Sequence, residues 1–144
     1  MEKLIFDRGE VSYQVGETGE VIQFNPADML FAGKIAKLFD RIDSLQQQYH
    51  GQMQLAKDGL TAYKVAQEAN EKMMTEIDAV IGEGKSKAIF GGVACYAISQ
   101  GLPIWANLMV SIVAEMDDAV VREQEKTNPT LEKYLKKYQG QGAS

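Results

Sequence analysis

The side chains best able to do covalent or acid–base chemistry are scarce, because the 144-residue chain holds one cysteine, Cys95, and one histidine, His50. A zinc site of Cys and His needs three or four ligands, a disulfide needs two sulfurs, and a nucleophile needs a base brought to it by the fold. His50 sits beside Gly51 and could serve as a general base only with acidic or nucleophilic partners around it. A surface histidine at a helix end or kink is the better account. Cys95 lies in Val93-Ala94-Cys95-Tyr96, where a thiol behaves as a small buried hydrophobe. Glu115, Asp117 and Asp118 crowd one stretch and could attract a hard cation, but adjacent helical carboxylates point about 100° apart and no calcium-loop spacing surrounds them. Gly82, Gly84, Gly91 and Gly92 do not fit a phosphate loop, which needs a strand-loop-helix frame to converge backbone amides on the anion. No catalytic residue, metal site or cofactor is expected. Binding or assembly is the better class of function.

Charge narrows the partners. The net charge is -5, from 15 basic and 20 acidic residues, whereas a nucleic-acid-binding surface is basic. Residues 126–144 are the exception: Lys126, Lys133, Lys136 and Lys137 against Glu132 make them +3 and leave the body at -8. Met1-Glu2-Lys3 is followed by only Leu4-Ile5-Phe6 before Asp7 and Arg8, which is no signal peptide. The longest apolar stretch, Leu102 to Val110, is far below the ~20 residues that span a bilayer. A cytoplasmic protein without nucleic-acid or membrane partners is expected.

The elements that must position any binding surface are legible from periodicity. Val11, Tyr13 and Val15 alternate with polar residues, Gly16 to Gly19 is a turn, and Val21 to Phe24 resumes an apolar strand, so residues 1–24 read as a β-hairpin. Lys3 to Phe6 reads as a possible third strand after a turn at Asp7 to Glu10. Asn25-Pro26 suits an N-cap and first helical position. The long helix that follows carries Phe31, Ile35, Leu38, Ile42, Leu45 and Tyr49 at alternating spacings of 4 and 3, a coiled-coil-like seam. Lys34, Lys37, Asp40, Arg41, Asp43 and Gln46 to Gln48 occupy its polar face, and its end falls either near Gly51 or at Asp58-Gly59. A second helix, Leu60 to Ile81, has Ala62, Ala66, Ala69, Met73, Ile77 and Val80 on one face, which predicts a helical hairpin. Glycines 82 and 84 end it, and a glycine-rich connector follows.

A third helix should run from Pro103 to about Glu125, with Trp105, Leu108, Met109, Ile112, Val113, Met116 and Val120 on its main face. From Ile104 to Ala114 only Asn107 and Ser111 are polar, so this part belongs inside the domain or at a protein interface. Asn128-Pro129 can open a short C-terminal helix with Leu131, Tyr134, Leu135 and Tyr138. The expected fold is thus α+β, mainly α. One domain covers residues 1–125, with the β-hairpin at 1–24 and helices over 25–125, and a basic tail covers 126–144.

Two segments bear a family likeness. Val21-Ile22-Gln23-Phe24-Asn25-Pro26-Ala27-Asp28, followed by Phe31, Ile35 and Leu38, resembles the opening of the small tail assembly chaperones of siphophages and prophages, where a strand ends in Phe-Asn-Pro and enters a long helix. Ile77-Asp78, then Gly82-Glu83-Gly84-Lys85-Ser86 closing on Phe90-Gly91, is similar to that family's second motif, with Ile81 where Phe is usual and Lys85 where a small hydroxyl residue is usual. The likeness covers residues 20 to 125. It implies a non-enzymatic protein of the bacterial host's cytoplasm that binds and solubilises the tape measure protein while tail tube subunits polymerise around it, with the tail tube protein a further partner. On this reading Trp105, Leu108, Met109, Ile112 and Met116 contact the client or another copy. The edge of the N-terminal hairpin, or the Phe31, Ile35, Leu38, Ile42, Leu45 and Tyr49 seam, would serve a homo-oligomer. The alternative is a tail completion or connector component of the mature virion.

Overall fold

The structure, a computed structural model, describes residues 1–116 and Lys136. The chain forms β1 (Val11–Gln14), β2 (Val21–Phe24), α1 (Met29–Leu55), α2 (Gly59–Ile81), α3 (Lys85–Phe90), β3 (Ile98–Ser99), β4 (Leu102–Pro103) and α4 (Ile104–Glu115). The fold is α+β and mainly helical. The expected C-terminal helix, the basic tail and Val120 lie outside the described residues.

β1 and β2 pair antiparallel, with Val11 opposite Phe24 and Tyr13 opposite Ile22. Gly16 and Gly19 take positive φ in the turn, which the Thr18 hydroxyl closes by donating to the Val15 carbonyl at 2.7 Å. On the inner face Tyr13 stacks on Phe24 at 4.6 Å and Phe24 on Phe31 of α1 at 4.8 Å. This aromatic ladder docks a hairpin that would be marginal alone. The third strand expected at Lys3 to Phe6 does not form, and residues 1–10 are irregular and exposed. Their root is turned aside at Gly9, whose N–H donates to Asp7 Oδ1 at 2.7 Å while Asn25 Nδ2 donates to the Arg8 carbonyl at 2.8 Å.

α1 starts later than Asn25-Pro26 suggests. Asn25 Oδ1 instead accepts from Ala27 N–H at 2.8 Å in an Asx turn, and Asp28 becomes the N-cap, accepting from Leu30 N–H at 2.9 Å. The helix passes through Gly51 and stops at Leu55; Asp58 then caps α2 through Thr61 N–H at 2.7 Å. α1 and α2 pack side by side as the expected helical hairpin, bridged at the surface by Arg41 and Glu76 at 2.8 Å.

α4 fits against this pair. Ile35, Leu38, Phe39 and Ile42 of α1, Met73 and Ile77 of α2, and Trp105, Met109, Val110 and Val113 of α4 are all buried in one core. The Trp105 ring tilts against Phe39 at 5.9 Å and its Nε1 donates to Gln46 Oε1 at 2.7 Å. Gln46 is therefore not part of the polar face: it lies four residues after Ile42, on the same stripe, and is half-buried. The first amides of α4 are met by the preceding loop, Ile104 N–H donating to Ala97 O at 2.8 Å and Trp105 N–H to Cys95 O at 2.9 Å.

The connector between α2 and α3 is closed by one carboxylate. Asp78, in the last turn of α2, accepts from Gly84 N–H at 3.0 Å and Ser86 N–H at 2.8 Å, and also from the Ser86 hydroxyl. Gly82 and Gly84 have φ of 125° and 77°, which lets the chain reverse over so short a distance. The amides that a phosphate loop would aim at an anion are thus taken by the protein's own acid. Replacing Asp78 by Ala removes the acceptor of two amides, while the Ser86 hydroxyl keeps the Met74 carbonyl at 3.0 Å, and we expect a loss of about 2 kcal/mol. Urea unfolding followed by Trp105 fluorescence measures it; a change under about 0.5 kcal/mol would contradict the assigned role.

Candidate functional site

α4 is apolar nearly all round because it serves two surfaces. Trp105, Met109 and Val113 face the core, whereas Ile104, Leu108 and Ile112, spaced four apart, line an open groove of about 540 Å³. Asn107 and Ser111 mark its edge; Asn107 Nδ2 donates to Ser99 O at 2.9 Å and the Ser111 hydroxyl to Asn107 O at 2.8 Å. The facing wall is the β-hairpin, through Tyr13, Val15, Ile22 and Phe24, and the end wall is Ile89, Phe90 and Val93. Phe90 and Ile89 stand there because Asp78 fixes the start of α3. The second motif of the sequence therefore shapes the groove from Asp78 at one remove and lines it directly through Phe90.

The groove is apolar at its floor and polar at its rim, where Gln14, Thr18 and Glu115 lie. Burial, then the negative charge of Glu115, pushes the Tyr13 hydroxyl above its ordinary pKa. A surface of this kind offers area to an apolar face and few directional contacts, as helix-in-groove sites do.

The expected contact residues divide. Leu108 is half-buried in the groove wall and Ile112, though buried, also lines it. Trp105, Met109 and Met116 are at most 1% exposed, so direct partner contact through them is corrected: the core has taken them. The α1 seam is corrected in the same way. Ile35, Leu38 and Ile42 are fully buried, and Phe31, Leu45 and Tyr49 are partly buried against the same core, because α4 supplies inside the chain the apolar partner that a second copy was expected to bring. Alternation marks the hairpin as an element that must pack on something, but does not single out Tyr13, Val15, Ile22 and Phe24 as a groove wall. Asn107 and Ser111, one turn apart in an otherwise apolar run, were the available signal that α4 has a solvent-facing edge.

His50 is exposed on α1, its ring 5.4 Å from that of Tyr49. Asp117 and Asp118 lie outside the described residues, and among the described residues no three His, Cys, Asp or Glu side chains gather as a metal site. Cys95 is buried, its amide donating to Asn70 Oδ1 at 2.8 Å and its sulfur 3.8 Å from Met73 Sδ. Burial pushes its thiol from 9.0 up to about 12. Tyr96 is likewise raised, by burial first and then by its neighbour Tyr49, while its hydroxyl donates to Ala66 O at 3.2 Å.

Both groups hold their protons more tightly folded than unfolded. Their contribution to stability is therefore complete below about pH 9, the ordinary value for the thiol, and is lost as pH rises above it. Thermal melts should fall in temperature above that pH, and Cys95→Ala should shift the onset upward; an identical alkaline profile in the variant would contradict this. Iodoacetamide at pH 8 should label Cys95 only after denaturation.

No protein-family model matches the chain, and neither the curated proteins nor the solved structures contain a match.

Proposed function

We propose that this protein is a phage tail assembly chaperone: a non-catalytic protein of the bacterial cytoplasm that binds the tape measure protein and keeps it soluble while the tail tube assembles, with the tail tube protein as a further partner. The observation that carries the reading is the open apolar groove between the hairpin and α4. A long amphipathic client helix exposes an apolar stripe until its own partners arrive, and a groove with an apolar floor and polar rim can cover that stripe by burial alone. The Phe24-Asn25-Pro26 and Ile77-Asp78…Phe90-Gly91 stretches support the family likeness, and both lie next to that groove: Phe24 and Phe90 line it.

The net charge of -5 fits a partner other than nucleic acid. No helix among the described residues is long and apolar enough to cross a membrane. The client contact moves from Trp105, Met109 and Met116 to Leu108, Ile112, Ile104 and Val93.

Co-expression with a tape measure fragment, followed by affinity capture, tests the proposal. The wild type should retain the fragment. Leu108→Asp should weaken retention by about tenfold or more, since a carboxylate on an apolar contact must be desolvated. Val93→Asp, at a position 54% exposed, should do the same without disturbing the core. A folded wild type that retains no fragment would sink the reading. So would recovery of this protein as a stoichiometric component of purified virions, which belongs to the tail completion alternative.

A further inference from the structure

Leu4, Ile5 and Phe6 form a run of large apolar side chains 94%, 94% and 77% exposed. Their segment has no regular structure, yet its root is fixed. Asn25 Nδ2 holds the Arg8 carbonyl, and Gly9 has a φ of 73°, with any Cβ there meeting Asn25 Nδ2 at 2.6 Å. The chain therefore leaves the hairpin in a set direction, with residues 1–7 exposed. Apolar side chains presented this way favour a surface on another molecule over one on their own chain.

The groove offers a matching surface. Its hairpin side is lined by Tyr13 and Gln14 of β1 and, past the end of the strand, by Val15 and Gly16 of the turn. Side chains alternate faces along a strand, so the adjacent Tyr13 and Gln14 both border the cleft where the strand presents its edge. Among the described residues β1 pairs with β2 alone, and its other edge has no strand beside it. An extended segment can add to such an edge by main-chain hydrogen bonds and send alternate side chains into the adjoining cleft.

We propose that residues 3–6 of one copy add as a strand to the free edge of β1 in a second copy, with Leu4 and Phe6 entering its groove. Lys3, next to the apolar run, matches Glu115 at the groove rim in charge. The docking surfaces differ, so reciprocal exchange closes a dimer and one-way exchange extends a chain of copies. The inference needs the groove and the segment only, and it stands whether or not the client is a tape measure protein. Where a client helix takes the same groove, it displaces the segment.

Sedimentation velocity over a range of concentrations tests this with the full chain. The wild type should self-associate. Leu4→Asp/Phe6→Asp, confined to exposed side chains, and Val93→Asp, in the groove, should each raise the dissociation constant by about tenfold or more. An equimolar mixture of the two should associate again, because one keeps an intact groove and the other an intact segment. Circular dichroism melts confirm that each variant is folded. A wild type that stays monomeric, an arm variant that associates as the wild type does, or a mixture that stays monomeric would each overturn the proposal.

Discussion

A helix that is apolar on nearly every side has to be surrounded, and α4 sets that requirement for the whole chain. Its inner face carries the one tryptophan, Trp105, fully enclosed yet holding a polar N–H that must find an acceptor. Gln46 supplies it from α1, which fixes the height at which the two helices meet. Once they meet there, the α1 seam is covered from within the chain. α2 lies alongside α1 and adds Ala69, Met73 and Ile77 to the same core. The remaining face of α4 is left to the hairpin, and the hairpin covers it only in part.

That partial cover is where structure and function join. The Tyr13, Phe24 and Phe31 ladder ties the hairpin to α1, at one side of α4, and α3 stands at the other. Asp78 decides where α3 starts. Its carboxylate gathers two amides and a hydroxyl across a connector whose glycines bend the chain back, so Phe90 reaches the groove wall. A motif that looks like a binding loop in one dimension is a hinge pin in three. Its influence on binding passes through the shape of the wall.

An open apolar groove is a liability for a protein that has no partner for it, because it invites association. The same property is useful in a protein whose task is to cover another chain's apolar stripe. Asn107, Ser111, Gln14 and Thr18 place polar groups along the lining of this otherwise apolar groove. Affinity at a site of this kind would come mainly from burial.

Periodicity by itself determined the helices: the seam at spacings of 4 and 3 in α1, the alanine face of α2 and the apolar run of α4 each name an element, because burial repeats with the helical turn. The hairpin strands were legible from alternation and glycine, while the start of α1 was misread because Asn25 can cap either a turn or a helix. What periodicity does not carry is which surface covers which. The α1 seam suits a second copy as well as α4, and the choice between them depends on a loop that returns α4 to α1 and on the Gln46–Trp105 bond 59 positions apart. The groove belongs to the same class of fact. Its walls come from β1, β2, α3 and α4, and no local rule relates residue 13 to residue 108. Apolar side chains at helical spacing state only that something must cover them; tertiary packing decided that Trp105, Met109 and Met116 are covered by the chain itself and that Ile104 and Leu108 line an open groove.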